Sequence, residues 1–322
     1  MIRRNLALGL LLWVLATVQT SAEGVRIAVI SDLNGAYGST DYAVDVHRAV
    51  AAIIALAPDL VLSTGDMVAG QRRPVLTDAE VRAMWRGFHA AVTDPLAQSG
   101  IPLAVTPGNH DGSAYRGFEA ERRIYAEEWR VRRPELVFAD DRNYPFFYAI
   151  DIGPARIVSI DATTIGRLDT AQMRALETVF NGAGPARISF SHLPLWPFTT
   201  ERETEIIGDP ALETLLDRIG VDLYLSGHHH AYYPGQIEAF SVVSQAELGG
   251  GSRRLIGTDQ LGPKSITLLD IAKDGTIRVS ALKGPDFRTP IDPRTLPERL
   301  NTRERVIHRI DIVPSGAVDV AE

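Results

Sequence analysis

The chain contains no cysteine. It therefore forms no disulfide, offers no thiolate to a metal and carries no cysteine for lipid attachment after export. It also lacks a basic excess, with a formal charge of −7, which disfavours nonspecific attraction to nucleic acid. Long apolar runs are missing as well. The stretch Leu6 to Val18 is 13 residues long, short of the roughly 20 that a membrane span needs. Arg3 and Arg4 precede it and Gln19-Thr20-Ser21-Ala22 follows it, the three parts of a secretory signal peptide. Residues 1–22 are accordingly expected to be cleaved, leaving a mature charge of −9, no stable membrane anchor and a protein exported to the periplasm or secreted.

What is present suits one large domain. Hydrophobic residues make up 45% of 322, enough for a sizeable core, and the polar motifs described below run evenly from Asp32 to His230. A catalytic domain over 23–284 and a C-terminal tail over 285–322 are expected, the tail being rich in proline and charge and either packed on the outside or partly mobile.

Short apolar runs read as buried strands: Val25 to Ile30, Leu60 to Leu62, Leu103 to Val105, Arg187 to Phe190 and Leu223 to Leu225. Between them lie helical signals. Thr77-Asp78-Ala79-Glu80 is a capping box before Val81, Met84, Trp85, Phe88 and Val92, and Asp169 caps a second helix that Gly182 stops. Asp41 to Leu56 reads as a third helix. Lys273-Asp274-Gly275 marks a hairpin between two strands near the C-terminus.

Each of the five strand-like runs is followed by metal-ligand chemistry: Asp32-Leu33-Asn34, Gly65-Asp66, Gly108-Asn109-His110-Asp111, Ser191-His192 and Gly227-His228-His229-His230. Singly these are ordinary turns. As an ordered set of carboxylate, amide and imidazole groups at the carboxyl ends of strands, they point to a dinuclear divalent-metal site of the kind that clamps an in-line displacement at phosphorus. Tyr37, Arg72, Arg73, Arg253 and Arg254 are candidate substrate contacts, since arginine pairs well with phosphate. Asp161 ends another strand-like run and is read either as part of the site or as a turn residue.

The set resembles the calcineurin-like metallophosphoesterase superfamily, whose pattern is D-x-H, G-D, G-N-H-[D/E], a lone histidine and G-H-x-H. The resemblance covers roughly Val25 to Ala281. It implies an α/β fold, a four-layer α-β-β-α sandwich of two mixed β-sheets flanked by helices. By position, Asp32 and His230 would bind the first metal, Asn109, His192 and His228 the second, and Asp66 would bridge them. His110 would act as general acid or hydrogen-bond donor, with Asp111 orienting its ring. The cofactors implied are two divalent ions of Mn, Fe, Zn or Mg, and the partner is a small phosphate ester attacked by a hydroxide held between the ions.

One ligand departs from the pattern: Asn34 stands where the superfamily usually has histidine. Asn34 either coordinates through its amide oxygen and favours a harder ion, or gives way to water, or leaves the first site weakly occupied. The iron-tyrosinate branch also lacks that histidine, but its tyrosine is Ala69 here, which argues against a purple enzyme. Besides a monoesterase, the residues admit a phosphodiesterase or nuclease, or a binding protein weakened in turnover by Asn34. His229 is expected to support its neighbours rather than to coordinate, and His47, His89 and His308 to be structural or exposed.

Overall fold

The computed structural model describes residues 24–238, 240–312 and 318–320, so the expected signal peptide over 1–22 lies outside the described residues. In chain order the strands are β1 (Val25–Ile30), β2 (Leu60–Ser63), β3 (Leu103–Val105), β4 (Val137–Asn143), β5 (Phe147–Ile152), β6 (Ala155–Ser159), β7 (Ala186–Ser191) and β8 (Leu223–Ser226), then β9 (Tyr233–Gln236), β10 (Ser241–Ser244), β11 (Ser265–Ile271), β12 (Ile277–Lys283), β13 (Thr289–Pro290), β14 (Arg299–Asn301), β15 (Val306–Arg309) and β16 (Val318–Val320). The α-helices are α1 (Val44–Leu56), α2 (Asp78–Phe88), α3 (Asp94–Gln98), α4 (Glu119–Val131), α5 (Thr170–Val179) and α6 (Pro210–Arg218).

The strands form two mixed sheets. The first runs β13-β12-β11-β1-β2-β3, with β16 also paired to β12, and the second runs β14-β15-β9-β10-β8-β7-β6-β5-β4. Strand alternation decides how they pack. Ile157, Ile188, Leu223 and Leu225 of the second sheet join Ile27, Leu62 and Leu269 of the first in one buried cluster. The intervening Val158 and Tyr224 face the opposite way, into a separate cluster with Leu176 of α5 and Leu212 and Leu216 of α6. The two sheets thus share a core, with helices outside, and the expected four-layer α/β architecture holds.

The local signals operate as read. Thr77 caps α2 with a reciprocal Glu80 bond, Asp169 caps α5 through the Gln172 amide, and β11 and β12 pair antiparallel across the 272–276 turn. The expected helix from Asp41 begins at Val44, because Ser39 and Asp41 bond to each other in a turn first.

The expected tail needs correction. Residues after 284 complete both sheets: β13 and β16 pair with β12, while β14 and β15 extend the second sheet beyond β9. Leu300, Ile307, Ile310 and Val318 are buried there. These strands are two to four residues long, too short to show a period in sequence, and they pair only because a sheet edge is already in place.

Candidate functional site

Strand direction assembles the site. β1, β2 and β3 are adjacent and parallel in the first sheet, and β7, β8 and β10 in the second. The segments leaving their carboxyl ends carry Asp32, Asp66, Asn109-His110, His192, His228-His230 and the 245–251 loop. The ligand-bearing segments meet although Asp32 and His228 are 196 residues apart, and the His228 amide donates to Asp32 Oδ2 at 3.1 Å.

The meeting is close, and the backbone bends to allow it. Asp32, Asp66, His228 and His230 all have left-handed backbone, with φ of 50°, 55°, 63° and 51°, each costing on the order of 1 kcal/mol. Four such residues in one place mark a site that the surrounding fold holds under constraint. The motif glycines have the same origin. A Cβ on Gly108 would lie 2.1 Å from the Asp66 amide nitrogen, and one on Gly227 would lie 2.2 Å from Ser31 Oγ.

Around Asp66, which is 2% exposed, the contacts are dense. Its Oδ1 accepts the His110 amide at 2.8 Å, and its Oδ2 lies 3.3 Å from His192 Nε2 and 4.0 Å from His110 Nε2. His192 Nε2 is also 2.8 Å from Asn109 Oδ1 and 3.1 Å from His228 Nδ1. On the other side, His230 Nε2 stands 3.0 Å from Asp32 Oδ1. A hydroxyl chain runs from Thr64 through Ser31 to Asp32 Oδ2, at 2.6 and 2.5 Å.

Each imidazole is fixed from behind. A carbonyl only accepts, so His192 Nδ1, His230 Nδ1 and His110 Nδ1 must donate to Thr64, Gly251 and Gly70 at 2.9, 3.0 and 3.0 Å. In neutral rings this leaves Nε2 of His192 and His230 with a lone pair toward the site. His228 is held the other way round, with Nε2 on the Glu205 carboxylate at 2.9 Å and Nδ1 inward. Burial opposes charge on His192, yet Asp66 and Asp32 raise it to about 9. Burial lowers His228, against the pull of Glu205.

The donor set fits a divalent cation. Ligand atoms of Asp66, His192 and His228 lie within 4.8 Å of one another. Glu247 Oε2 is a buried carboxylate oxygen with no hydrogen bond among the described residues, and Asp32 Oδ1, fully buried, faces only His230 Nε2 at 3.0 Å, states that a nearby cation relieves. Oxygen and imidazole donors without thiolate suit Mn, Fe, Zn or Mg.

One expectation changes, and of the two readings of Asp161 the turn role holds. Asp111 does not orient His110: its carboxylate accepts the Gly108 and Met67 amides at 2.6 and 2.7 Å, so it ties together the loops after β2 and β3 while Gly70 holds the ring. Asp161 pairs with Arg122, which also donates to the Gly112 carbonyl, so it braces a turn rather than entering the site. His229 is fully buried and accepts the Phe198 and Thr199 amides on Nδ1, the supporting role expected of it. Asn34 lines the cavity and its backbone amide donates to Asp66 O at 3.2 Å.

A cavity of about 340 Å³ opens over these residues, lined by Asn34, Asp66, His110, His228 and His230 together with Tyr37, Gln71, Arg202, Glu205 and Arg253. Larger clefts near Arg26 and Asp270 and near Pro290 and Asp319, of about 620 and 710 Å³, have none of this chemistry. Of the candidate substrate contacts, Tyr37 and Arg253 reach the cavity, while Arg72, Arg73 and Arg254 are not in its lining. Arg202, Glu205 and Gln71 escaped the sequence reading. They lie in irregular segments, and only the His192-to-His228 interval could have drawn attention to the first two.

Among solved structures, the purple acid phosphatase PPD1 of yellow lupin superposes with a TM-score of 0.61 at 18% identity, over 82% of this chain and 52% of that one. This chain thus spans about half the length of the lupin protein. A dimetal phosphatase from Danio rerio gives a TM-score of 0.57 at 14% identity, over 84% and 98%, and GAP50, described as the anchor in the inner membrane complex of Plasmodium, gives 0.50 at 12%, over 92% and 91%. At these identities the likeness is one of fold. A comparison with the curated proteins gives no match. The profile of the calcineurin-like phosphoesterases matches residues 25–232, which takes in every candidate ligand from Asp32 to His230, and the chain belongs to that family of metal-dependent phosphoester hydrolases.

Proposed function

We propose that this protein hydrolyses small phosphate esters at a dinuclear metal centre. The observation that carries the reading is the convergence of Asp32, Asp66, Asn109, His192, His228 and His230 from five strand ends into one set of mutual contacts, of which Asp66, His228 and His230 line a small polar cavity. Asp32 and His230 would hold the first ion, with Asn34 at its edge. Asn109, His192 and His228 would hold the second, and Asp66 would serve both. When bound, two such ions supply an activated water and neutralise charge on the phosphoryl oxygens.

The remaining work falls to the chain itself. Glu205, Thr64 and Gly251 fix the ring faces that His228, His192 and His230 present. His110, held by Gly70, lines the cavity beside Tyr37, whose ring lies 5.2 Å away, and in the imidazolium form, with N–H on both nitrogens, its Nε2 can donate a proton to the departing alcohol oxygen or a hydrogen bond to developing charge. The cavity volume suits a small ester better than a polymer, and the negative net charge points away from nucleic acid. The sequence of residues 1–22 supports a substrate met outside the cytoplasm.

Metal content of protein purified without chelators, with turnover of p-nitrophenyl phosphate and of its bis-ester in Mn, Mg, Zn and Fe, tests the proposal. Two ions per chain with turnover are expected. No turnover in any ion would leave the fold with a binding role instead.

A further inference from the structure

Two arginines share the catalytic cavity, and only one is neutralised. Arg202 is paired with Glu205, the carboxylate that also holds His228. Arg253 has no ion-pair partner among the described residues. Its side chain donates to the His228 carbonyl and its backbone amide to the His230 carbonyl at 3.3 Å, so it is anchored on both sides of the ligand turn, and its guanidinium makes no other hydrogen bond among the described residues. Arg122, Arg156 and Arg309, which are also withdrawn from solvent, each rest on a carboxylate. A half-buried guanidinium with no carboxylate in direct contact is expensive to keep, and burial and Arg202 disfavour its charge more than Asp32, Glu205 and Asp66 at longer range support it. Here it lies on the same cavity wall as His228 and His230, where an anion would complete it.

Resting on the hydrolase reading above, we propose that Arg253 binds a terminal phosphoryl oxygen and makes this site selective for phosphate monoesters over diesters. A monoester carries three unesterified oxygens and close to two negative charges near neutral pH. A diester has two such oxygens and one charge, because the third bears carbon. The planar guanidinium matches a pair of phosphoryl oxygens and pays for its own desolvation only when that additional charge is present. Its tether to His228 places the fork at a set position against the ligands, in the cavity that Tyr37, 59% exposed and next to His110, also lines.

The test compares wild type, Arg253→Ala and Arg253→Lys in the metal-loaded protein, with p-nitrophenyl phosphate, its bis-ester and inhibition by inorganic phosphate and by dimethyl phosphate. Loss of a charge-assisted contact predicts that Arg253→Ala lowers monoester kcat/KM by about 30- to 100-fold, with a loss of no more than about 5-fold for the diester. Inhibition by inorganic phosphate should weaken, and inhibition by dimethyl phosphate should change little. Arg253→Lys, which keeps one donor but not the fork, should fall between the two for the monoester. Metal content per chain should stay at the wild-type level in both variants. Parallel loss on both esters, or a drop in metal content that accounts for the loss, would assign Arg253 to bracing the His228 turn and overturn the proposal. A wild type that turns over neither ester would overturn the hydrolase reading and this proposal with it.

Discussion

His89 offers a quantitative test of the packing between α2 and α4. It is 2% exposed and begins a π-helical turn over His89–Thr93, with rings of Trp85, Phe88 and Trp129 centred 5.7 to 5.8 Å away. Nδ1 contacts Thr93 Oγ1 at 3.1 Å, while Nε2 has no hydrogen bond, with Glu128 at 3.5 Å. Burial and the nearby Arg132 outweigh Asp94 and lower the imidazole from 6.5 to about 4. Below pH 6.5 the unfolded chain takes up a proton that the native one refuses until about pH 4, so stability is complete above pH 6.5 and is lost as pH falls through that window. At pH 5 the loss is about 2 kcal/mol, from 1.36 kcal/mol per pH unit over about 1.5 units. His89→Leu removes the titration at similar volume and strands the Thr93 hydroxyl, at a cost of about 1 kcal/mol. Urea unfolding of both proteins at pH 7.5 and 5.0 should show the wild type losing about 2 kcal/mol more than the variant between the two. Parallel losses would refute the argument, because they would mean that the ring is charged in the native state or wet enough to titrate freely.

The other predictions concern the site. Asp66→Ala should lower turnover by about three orders of magnitude, the equivalent of about 4 kcal/mol, and reduce metal content; near-normal kcat would remove Asp66 from its shared position. Asn34→His should raise occupancy of the first site or shift metal preference, and unchanged metal content with unchanged metal dependence would show that position 34 does not coordinate. Glu205→Gln removes the charge behind His228 and should weaken metal affinity by about 10-fold, read by competition with a chromophoric chelator; equal affinity would make the 2.9 Å contact incidental.

The sequence by itself determined the donor chemistry of the candidate site. Donor type is written in each residue, and a β-rich run ending in Asp, Asn or His places that donor at a strand end, so Asp32, Asp66, Asn109, His192, His228 and His230 were legible without coordinates, as were the caps at Thr77 and Asp169. Only the tertiary structure decided who stands behind them. Asp111 and His110 are neighbours in the chain, yet their side chains turn to different partners, Asp111 to the Met67 and Gly108 amides and His110 to the Gly70 carbonyl. Glu205 and Arg202 arrive from an irregular loop, and Arg253 has no ion pair among the described residues because its loop crosses the His228 turn, where its guanidinium meets the His228 carbonyl. The strands after residue 284 likewise exist only against β12 and β9. Periodicity and residue type are local and survive in one dimension, whereas hydrogen-bond partnership, uncompensated charge and edge pairing are set by contacts between segments that the chain itself keeps far apart.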